Sequence, residues 1–516
     1  MIPVTDVLRV HPRDYVLVAL RDLKPGETVQ APDQLLVAKS LVPRGHKLAA
    51  SAIGAGAEVR KYGWPIGRAT QDIAAGEHVH THNLATALTA HEDYTYVPAA
   101  AAGGTSTSTD TCASADTCAS AETDVLPDTR TFLGYLRRNG RVGTRNEIWV
   151  LCTVGCVART AQRIAQIAGE RLKGRIDGVY ALTHPFGCSQ LGDDLMHTRQ
   201  ILASLAAHPN AGGVLVVGLG CENNQLQALL DAANLDSSRV RSFNAQAVDD
   251  EVADGVRAVE ELAELLQQDK RVPRPLSDLV VGLKCGGSDA FSGLTANPLV
   301  GRISTALANA GGTPILSEIP EIFGAERMLM ARAVDGAVFN DAAQLVNDFK
   351  DYFTAAGQRV SDNPSPGNQA GGITTLEEKS LGAVQKAGDA PLTQVLRYGQ
   401  RVRQPGLALL ESPGNDAVSS TALAAAGATV LLFTTGRGTP LGFPAPTLKI
   451  SSTSALAQAK PRWIDFDAGS LLTGSRMDDL AQSLLDLVIA TASGRPTCAE
   501  RNGEREVAIW KTGVTL

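Results

Sequence analysis

Residues 214–225 read VLVVGLGCENNQ: a run of apolar residues stops on Gly-Leu-Gly, and a cysteine, a carboxylate and two amides follow at once. A short continuous apolar run bounded by glycine is the pattern of a fully buried strand in a parallel sheet. The polar residues Cys221, Glu222, Asn223 and Asn224 then fall at its carboxyl end, the edge outside which open α/β sheets bind their ligands. The same ending recurs. EIWVLCTVGC (residues 147–156) closes on Cys156, GVYALTHPFGC (178–188) on Cys188, and DLVVGLKC (278–285) on Cys285.

If these strands neighbour one another, the four thiols converge. A buried cysteine is otherwise a small hydrophobe, but the polar sequels CENNQ and CGGSD and the adjoining glycines favour a site. Spacings of 32, 33 and 64 residues match no zinc knuckle. Thiolates suit Fe(II) or an iron–sulfur cluster. Cys152, within its strand, and Cys498 read as packing residues.

Between the apolar runs lie helical patterns such as RTAQRIAQIAGERL (159–172) and DEVADGVRAVEELAELLQQ (250–268). The alternation predicts βαβ units and a Rossmann-like parallel-sheet α/β body. Within that body, DKRVPRPLSD (269–278) marks a boundary between a middle region, 130–270, and a C-terminal domain, 271–516. Residues 1–92 differ in texture: short β-rich runs such as YVLVAL and AEVRKYGWPIGRATQDI, punctuated by Gly and Pro, predict a small all-β module. Residues 93–129 are dominated by Ala, Ser, Thr, Gly and Asp and read as a low-complexity tether, with Cys112 and Cys118 belonging to it.

Length and charge agree with this division. The 516 residues imply roughly three domains. A net charge of −7 lacks the basic footprint of a nucleic-acid binder. The N-terminus lacks the order of a signal peptide and no run is long and apolar enough for a membrane helix, so a cytoplasmic protein is expected.

Other polar clusters are candidates for chemistry. GEHVHTHN (76–83) places His78, His80 and His82 on one side of an extended segment, where they could hold a metal or a polyhydroxy substrate, or form an exposed edge. His46, in PRGHKLA, is a candidate base or ligand. His184, in THPFGC, reads as a ligand, a base or a capped loop histidine. Glu222 and Asp289 are strand-end carboxylates suited to acid–base work or a hard metal. The Gly/Pro loops NPSPGNQAGG (363–372) and TTGRGTP (434–440), the latter with Arg437, could hold a carboxylate. GxGxxG is absent, which leaves a dinucleotide site without support.

Taken together, RGHKLA, VRKYGWPIG, GEHVHTHN, TVGC, GCSQLGDD, HPNAGGVLVVGLGCENNQ, CGGSDAFSGLTANP, NPSPGNQAGGITTLEEKSLG, TTGRGTP and WIDFDAG resemble the altronate and galactarate dehydratase family, in order along the chain. The resemblance implies an iron-dependent lyase of sugar-acid breakdown. It also implies an N-terminal β-clip (SAF) domain, a middle region that forms a homodimer, and a Rossmann-like C-terminal domain. The histidine-rich ending points to the altronate branch, which removes water from D-altronate to give 2-dehydro-3-deoxy-D-gluconate. A galactarate or other aldarate dehydratase is the second reading. A sulfolactate sulfo-lyase and a non-enzymatic sugar-acid sensor are further alternatives. One departure is Cys152, where the family motif carries proline.

On this reading iron is held by Cys156, Cys188, Cys221 and Cys285, with His184, Glu222 or Asp289 beside it. The β-clip closes over the sugar acid and contributes His46, His80 or Lys61, while Asn223, Asn224 and Arg437 complete the substrate contacts.

Overall fold

A computed structural model describes residues 6–97 and 129–516, so most of the tether, with Cys112 and Cys118, lies outside the described residues. The chain is mixed α/β: small antiparallel β-sheets come first, and a body built on two parallel sheets follows.

In the N-terminal module, Val7–Leu8, Val16–Ala19, Lys47–Ala49 and His78–Val79 form one antiparallel sheet, and Glu58–Lys61, Trp64–Ala69 and Leu84–Ala85 another. Strands this short hold only with tight turns, which glycines supply. Gly76, at φ +79°, packs against the Val37 carbonyl, where a side chain has no room. This module matches the all-β expectation, down to its Gly-punctuated runs.

The middle region carries a four-stranded parallel sheet in the order 178–182, 147–152, 211–218, 240–244. Every residue of Glu147–Cys152 is buried, as expected of a strand covered on both faces. The Ala158–Arg171 helix shows why. Its buried residues Ala161, Ile164, Ala165 and Ala168 recur at helical spacing and pack with Ile148, Val150, Leu215 and Val217. Cys152 joins this core, the packing role the sequence suggested. In a separate three-stranded sheet Thr131–Leu136 pairs antiparallel with Val272–Pro275, which ties the region to the C-terminal domain.

The C-terminal domain is built on a seven-stranded parallel sheet in the order 392–396, 407–410, 313–316, 280–285, 430–435, 447–451, 466–467. A shared core cluster joins the two parallel sheets, with Trp149, Leu151 and Leu182 of one and Ile315, Leu410 and Phe433 of the other. This two-sheet arrangement corrects one expectation: the strand ending on Cys285 does not neighbour the other three. It lies in the seven-stranded sheet, flanked by 313–316 and 430–435. The four thiols therefore divide three and one.

Candidate functional site

The β-clip docks on the C-terminal domain through buried charge. Lys47 and Lys61 both close on Glu378, each at 2.8 Å, with all three side chains buried. Lys47 also donates to the Gly372 carbonyl at 2.8 Å and to Thr374 at 2.7 Å. Burial pulls the Lys47 ammonium down to about 8. Burial would raise Glu378, but the two ammonium groups outweigh it and hold the carboxyl at about 2. Lys61, placed by sequence on substrate, is thus committed to this ion pair.

Beside these lysines four imidazoles gather. His46 lies 3.1 Å from His78, the rings of His46 and His80 are 4.8 Å apart, and those of His78 and His82 are 5.4 Å apart. His46 faces the Ala370 carbonyl at 3.4 Å and His80 bonds to Thr374 at 2.9 Å. Burial lowers all three inner histidines, His78 to about 3 and His80 to about 4, so they are neutral at physiological pH. The Ser365–Thr374 segment touches both this cluster and a cleft of about 320 Å³, lined among others by Cys285, Glu321, Asn363, Asn368, Lys379 and Asp416.

Under the cleft sits a charge network the sequence reading did not include. Glu318 pairs with Lys284 and with Lys386 at 2.9 Å, Glu321 pairs with Lys379 at 2.9 Å, and Lys284 also meets Asp416 at 2.9 Å. Among the described residues, Cys285, Glu318 and Glu321 form the one group of three whose ligand atoms lie within 4.8 Å of one another. Proximity alone would suggest a cation, but three ammonium groups already balance three carboxylates there. Burial pushes the Cys285 thiol up to about 12, which keeps it protonated. The geometric match and the charge balance disagree, and the charge balance decides: a dication would have to displace lysines from buried pairs. The signal in the sequence was lysine and glutamate inside apolar runs, as in VVGLKC and SEIPEIF.

Asp289 and Arg437 lie near this domain's strand ends. Asp289 accepts hydrogen bonds from Ser292 and Ser452, and Gly436 packs directly against it. It is a loop anchor, with burial raising its carboxyl above the usual range despite these bonds. Arg437 is exposed and reaches toward the Gly367 carbonyl at 3.5 Å.

The other three cysteines are exposed at the carboxyl edge of the middle sheet, Cys156 in the 3-10 turn Gly155–Val157 and Cys188 and Cys221 on loops. The residues around them fix the loops to one another. Glu222 accepts from Thr153, from the Leu219 N–H at 3.0 Å and from the Gly220 N–H at 2.6 Å. Burial opposes its charge, but these donors prevail and hold it below the usual carboxylate range. Asn224 donates to the Thr153 carbonyl and its N–H bonds Gly187, while Asn223 accepts from the Ser189 N–H at 2.8 Å. His184 has both ring nitrogens engaged by backbone: Nε2 donates to Cys152 at 2.9 Å and Nδ1 accepts from Phe186 at 3.1 Å. Of its three sequence readings, the capped loop histidine is the one this geometry fits. Among the described residues no hydrogen bond, ion pair or ring contact joins these three cysteines to the imidazole cluster, so the candidate residues do not form one site.

Three family descriptions match the chain in sequence order: "Altronate/galactarate dehydratase SAF domain" over residues 5–87, "D-galactarate dehydratase/Altronate hydrolase, second domain" over 134–267, and "D-galactarate/Altronate dehydratase, C-terminal" over 276–515. Altronate dehydratase of Escherichia coli K12 is 48% identical over 99% of both chains. The chain belongs to the altronate/galactarate dehydratase family. Altronate dehydratase of Bacillus subtilis 168 is 46% identical, again over 99% of each chain. Galactarate dehydratase (L-threo-forming) of Escherichia coli K12 is 33% identical over 96% of this chain and 94% of its own. As a dehydratase-family chain with an SAF module, it is an enzyme of the hydro-lyase class. Among the described residues no helix is long and apolar enough to cross a membrane.

Proposed function

We propose that this chain dehydrates D-altronate to 2-dehydro-3-deoxy-D-gluconate. The observation that carries the reading is likeness along the whole length to two altronate dehydratases, at 48% and 46% identity, against 33% to a galactarate dehydratase.

Dehydration of a 2,3-dihydroxy acid requires removal of the proton beside the carboxylate and departure of the neighbouring hydroxyl. The proposed cofactor is iron, as Fe(II) or an iron–sulfur cluster, which when bound would supply Lewis acidity to the reaction. The chain's own groups bind and move protons. The Asn363 amide and Lys379, the latter already held by Glu321 at 2.9 Å and by the Asn363 side-chain oxygen at 3.0 Å, line the cleft and are its donors for a carboxylate and hydroxyls. Against the same Ser365–Thr374 segment, neutral imidazoles of the β-clip provide proton acceptors. The buried Lys47–Glu378–Lys61 triad keeps that module seated.

The same reading places the enzyme in the cytoplasm as a homodimer joined through the middle region. Light scattering on the purified protein tests the dimer, with a mass near twice 54.0 kDa expected. Turnover of D-altronate by iron-loaded protein under anoxia, scored for the 2-keto-3-deoxy acid, tests the activity.

A further inference from the structure

We infer that a pocket between the middle region and the C-terminal domain binds a phosphoryl group, carried by a metabolite or free, through Arg141, Arg199, Arg401 and Arg403. The pocket shares no lining residue with the cleft beside Cys285, and the inference goes beyond the altronate reading without resting on it.

The pocket opens between the Gly192–Ala206 helix of the middle region and the loop 399–403 that follows strand Leu392–Leu396. Its volume is about 640 Å³, twice that of the cleft, which is the size of a small-metabolite site at a domain boundary. Four guanidinium groups line it and no carboxylate does, in a chain whose net charge is −7.

Elsewhere in this part of the fold arginines are paired. Arg137 and Arg239 close on Asp269, Arg145 closes on Glu500 at 2.7 Å, and Arg397 closes on Asp348 at 2.9 Å. Among the described residues none of the pocket's four arginines has a carboxylate partner. Arg141 donates to the Val402 carbonyl and Arg199 to the Asn224 side chain, each at 3.2 Å. A guanidinium carries five N–H donors, so most of them remain for a ligand. Arg141, Arg199 and Arg401 are partly buried, and Arg403 is exposed at the mouth. Burial pulls Arg401 below its ordinary value, and burial together with the Arg401 charge does the same to Arg141. Like charges drawn partly out of water repel one another, and an anion between them relieves that repulsion.

The donors are held in place by uncharged contacts. Ser204 of the helix donates to the Gly399 carbonyl at 2.9 Å. The Val402 N–H bonds the Ala426 carbonyl and the Arg403 N–H bonds the Gln394 side chain, each at 3.0 Å. Planar guanidinium forks match the oxygens of a phosphoryl group, and its double charge answers more of them than one carboxylate can. The bound group joins the helix to the C-terminal loop. It also touches Arg199, whose partner Asn224 ties Thr153 to Gly187 in the middle region.

The test is calorimetric titration of the full chain, with and without iron, at constant ionic strength. Glucose 6-phosphate, inorganic phosphate, succinate and glucose are the probes. The expected Kd for glucose 6-phosphate is below about 1 mM, the same with and without iron and unchanged by excess D-altronate. Glucose does not bind, and succinate binds at least about tenfold more weakly. Tighter binding of inorganic phosphate than of the ester also supports the site and assigns it to the free ion. Arg141→Gln and Arg401→Gln each weaken binding at least about tenfold, whereas Arg138→Gln, at an exposed arginine outside the pocket, binds as the parent does. Phenylglyoxal labelling of the unaltered chain, mapped by mass spectrometry, gives a readout that needs no variant: glucose 6-phosphate protects Arg401 and Arg403. No binding of either phosphate, binding that requires iron, displacement by D-altronate, succinate equal to the ester, parental affinity in Arg401→Gln, or unchanged labelling of both arginines would overturn the assignment.

Discussion

Lys61 of the β-clip lies 2.8 Å from Glu378 of the C-terminal domain, and both side chains are 1% exposed. Lys47 holds the other carboxylate oxygen at the same distance. Replacing Glu378 with Ala would leave two buried ammonium groups without their carboxylate, a change that costs about 3–5 kcal/mol when one side of a buried pair is removed. Urea unfolding of Glu378→Ala should show that loss. A change below about 1 kcal/mol, the range of exposed pairs, would mean that the β-clip is not seated by this contact.

The imidazole cluster gives a pH dependence of known sign. His78 and His80 titrate at about 3 and about 4 in the folded protein, below the ordinary 6.5, because burial disfavours their charged forms. The unfolded chain therefore binds more protons between those values, and stability falls as pH drops from about 6.5 toward 4. Each imidazole contributes a slope of at most about 1.4 kcal/mol per pH unit. A His78→Gln, His80→Gln double variant should have a flatter profile over that window, measured by thermal unfolding against pH. An unchanged slope would remove these histidines as its source.

On the proposed function His80 is the proton acceptor of the β-clip: burial keeps it neutral and Thr374 holds it at 2.9 Å. General base catalysis is worth about 10²–10⁴ in rate. His80→Gln should lower kcat at least about a hundredfold with a smaller change in KM. A variant whose kcat stays within a factor of about three would assign the proton transfer to another group.

Glu222 is a positioning residue on this structure, because its oxygens are used by Thr153, Leu219 and Gly220. Glu222→Gln turns one acceptor into a donor facing these groups and should cost about 1–3 kcal/mol. Iron loading should fall in parallel with that loss. Normal stability with abolished turnover would instead indicate direct chemistry at Glu222.

The sequence carried the element types well because the middle strands are covered on both faces and so read as unbroken apolar runs, as in VLVVG and EIWVLC. The clustering of His46 with His78, His80 and His82 depended on a strand pairing, Leu48 with His78, that no local pattern announces. Sheet membership was not legible either. The four cysteine-ended strands look alike, and only long-range pairing sends Cys285 to a different sheet. His184 and Lys61 showed the same limit. Their residue types suit catalysis, but their hydrogen-bond partners, Cys152 and Glu378, occupy them structurally.

The most direct measurement compares kcat/KM of the iron-loaded, anoxic enzyme for D-altronate and galactarate, scored by formation of the keto-deoxy acid. The account predicts turnover of D-altronate to 2-dehydro-3-deoxy-D-gluconate, with galactarate at least about tenfold poorer, a difference of about 1.4 kcal/mol in transition-state binding. Preference for galactarate, or inertness toward altronate in protein that has taken up iron, would contradict it.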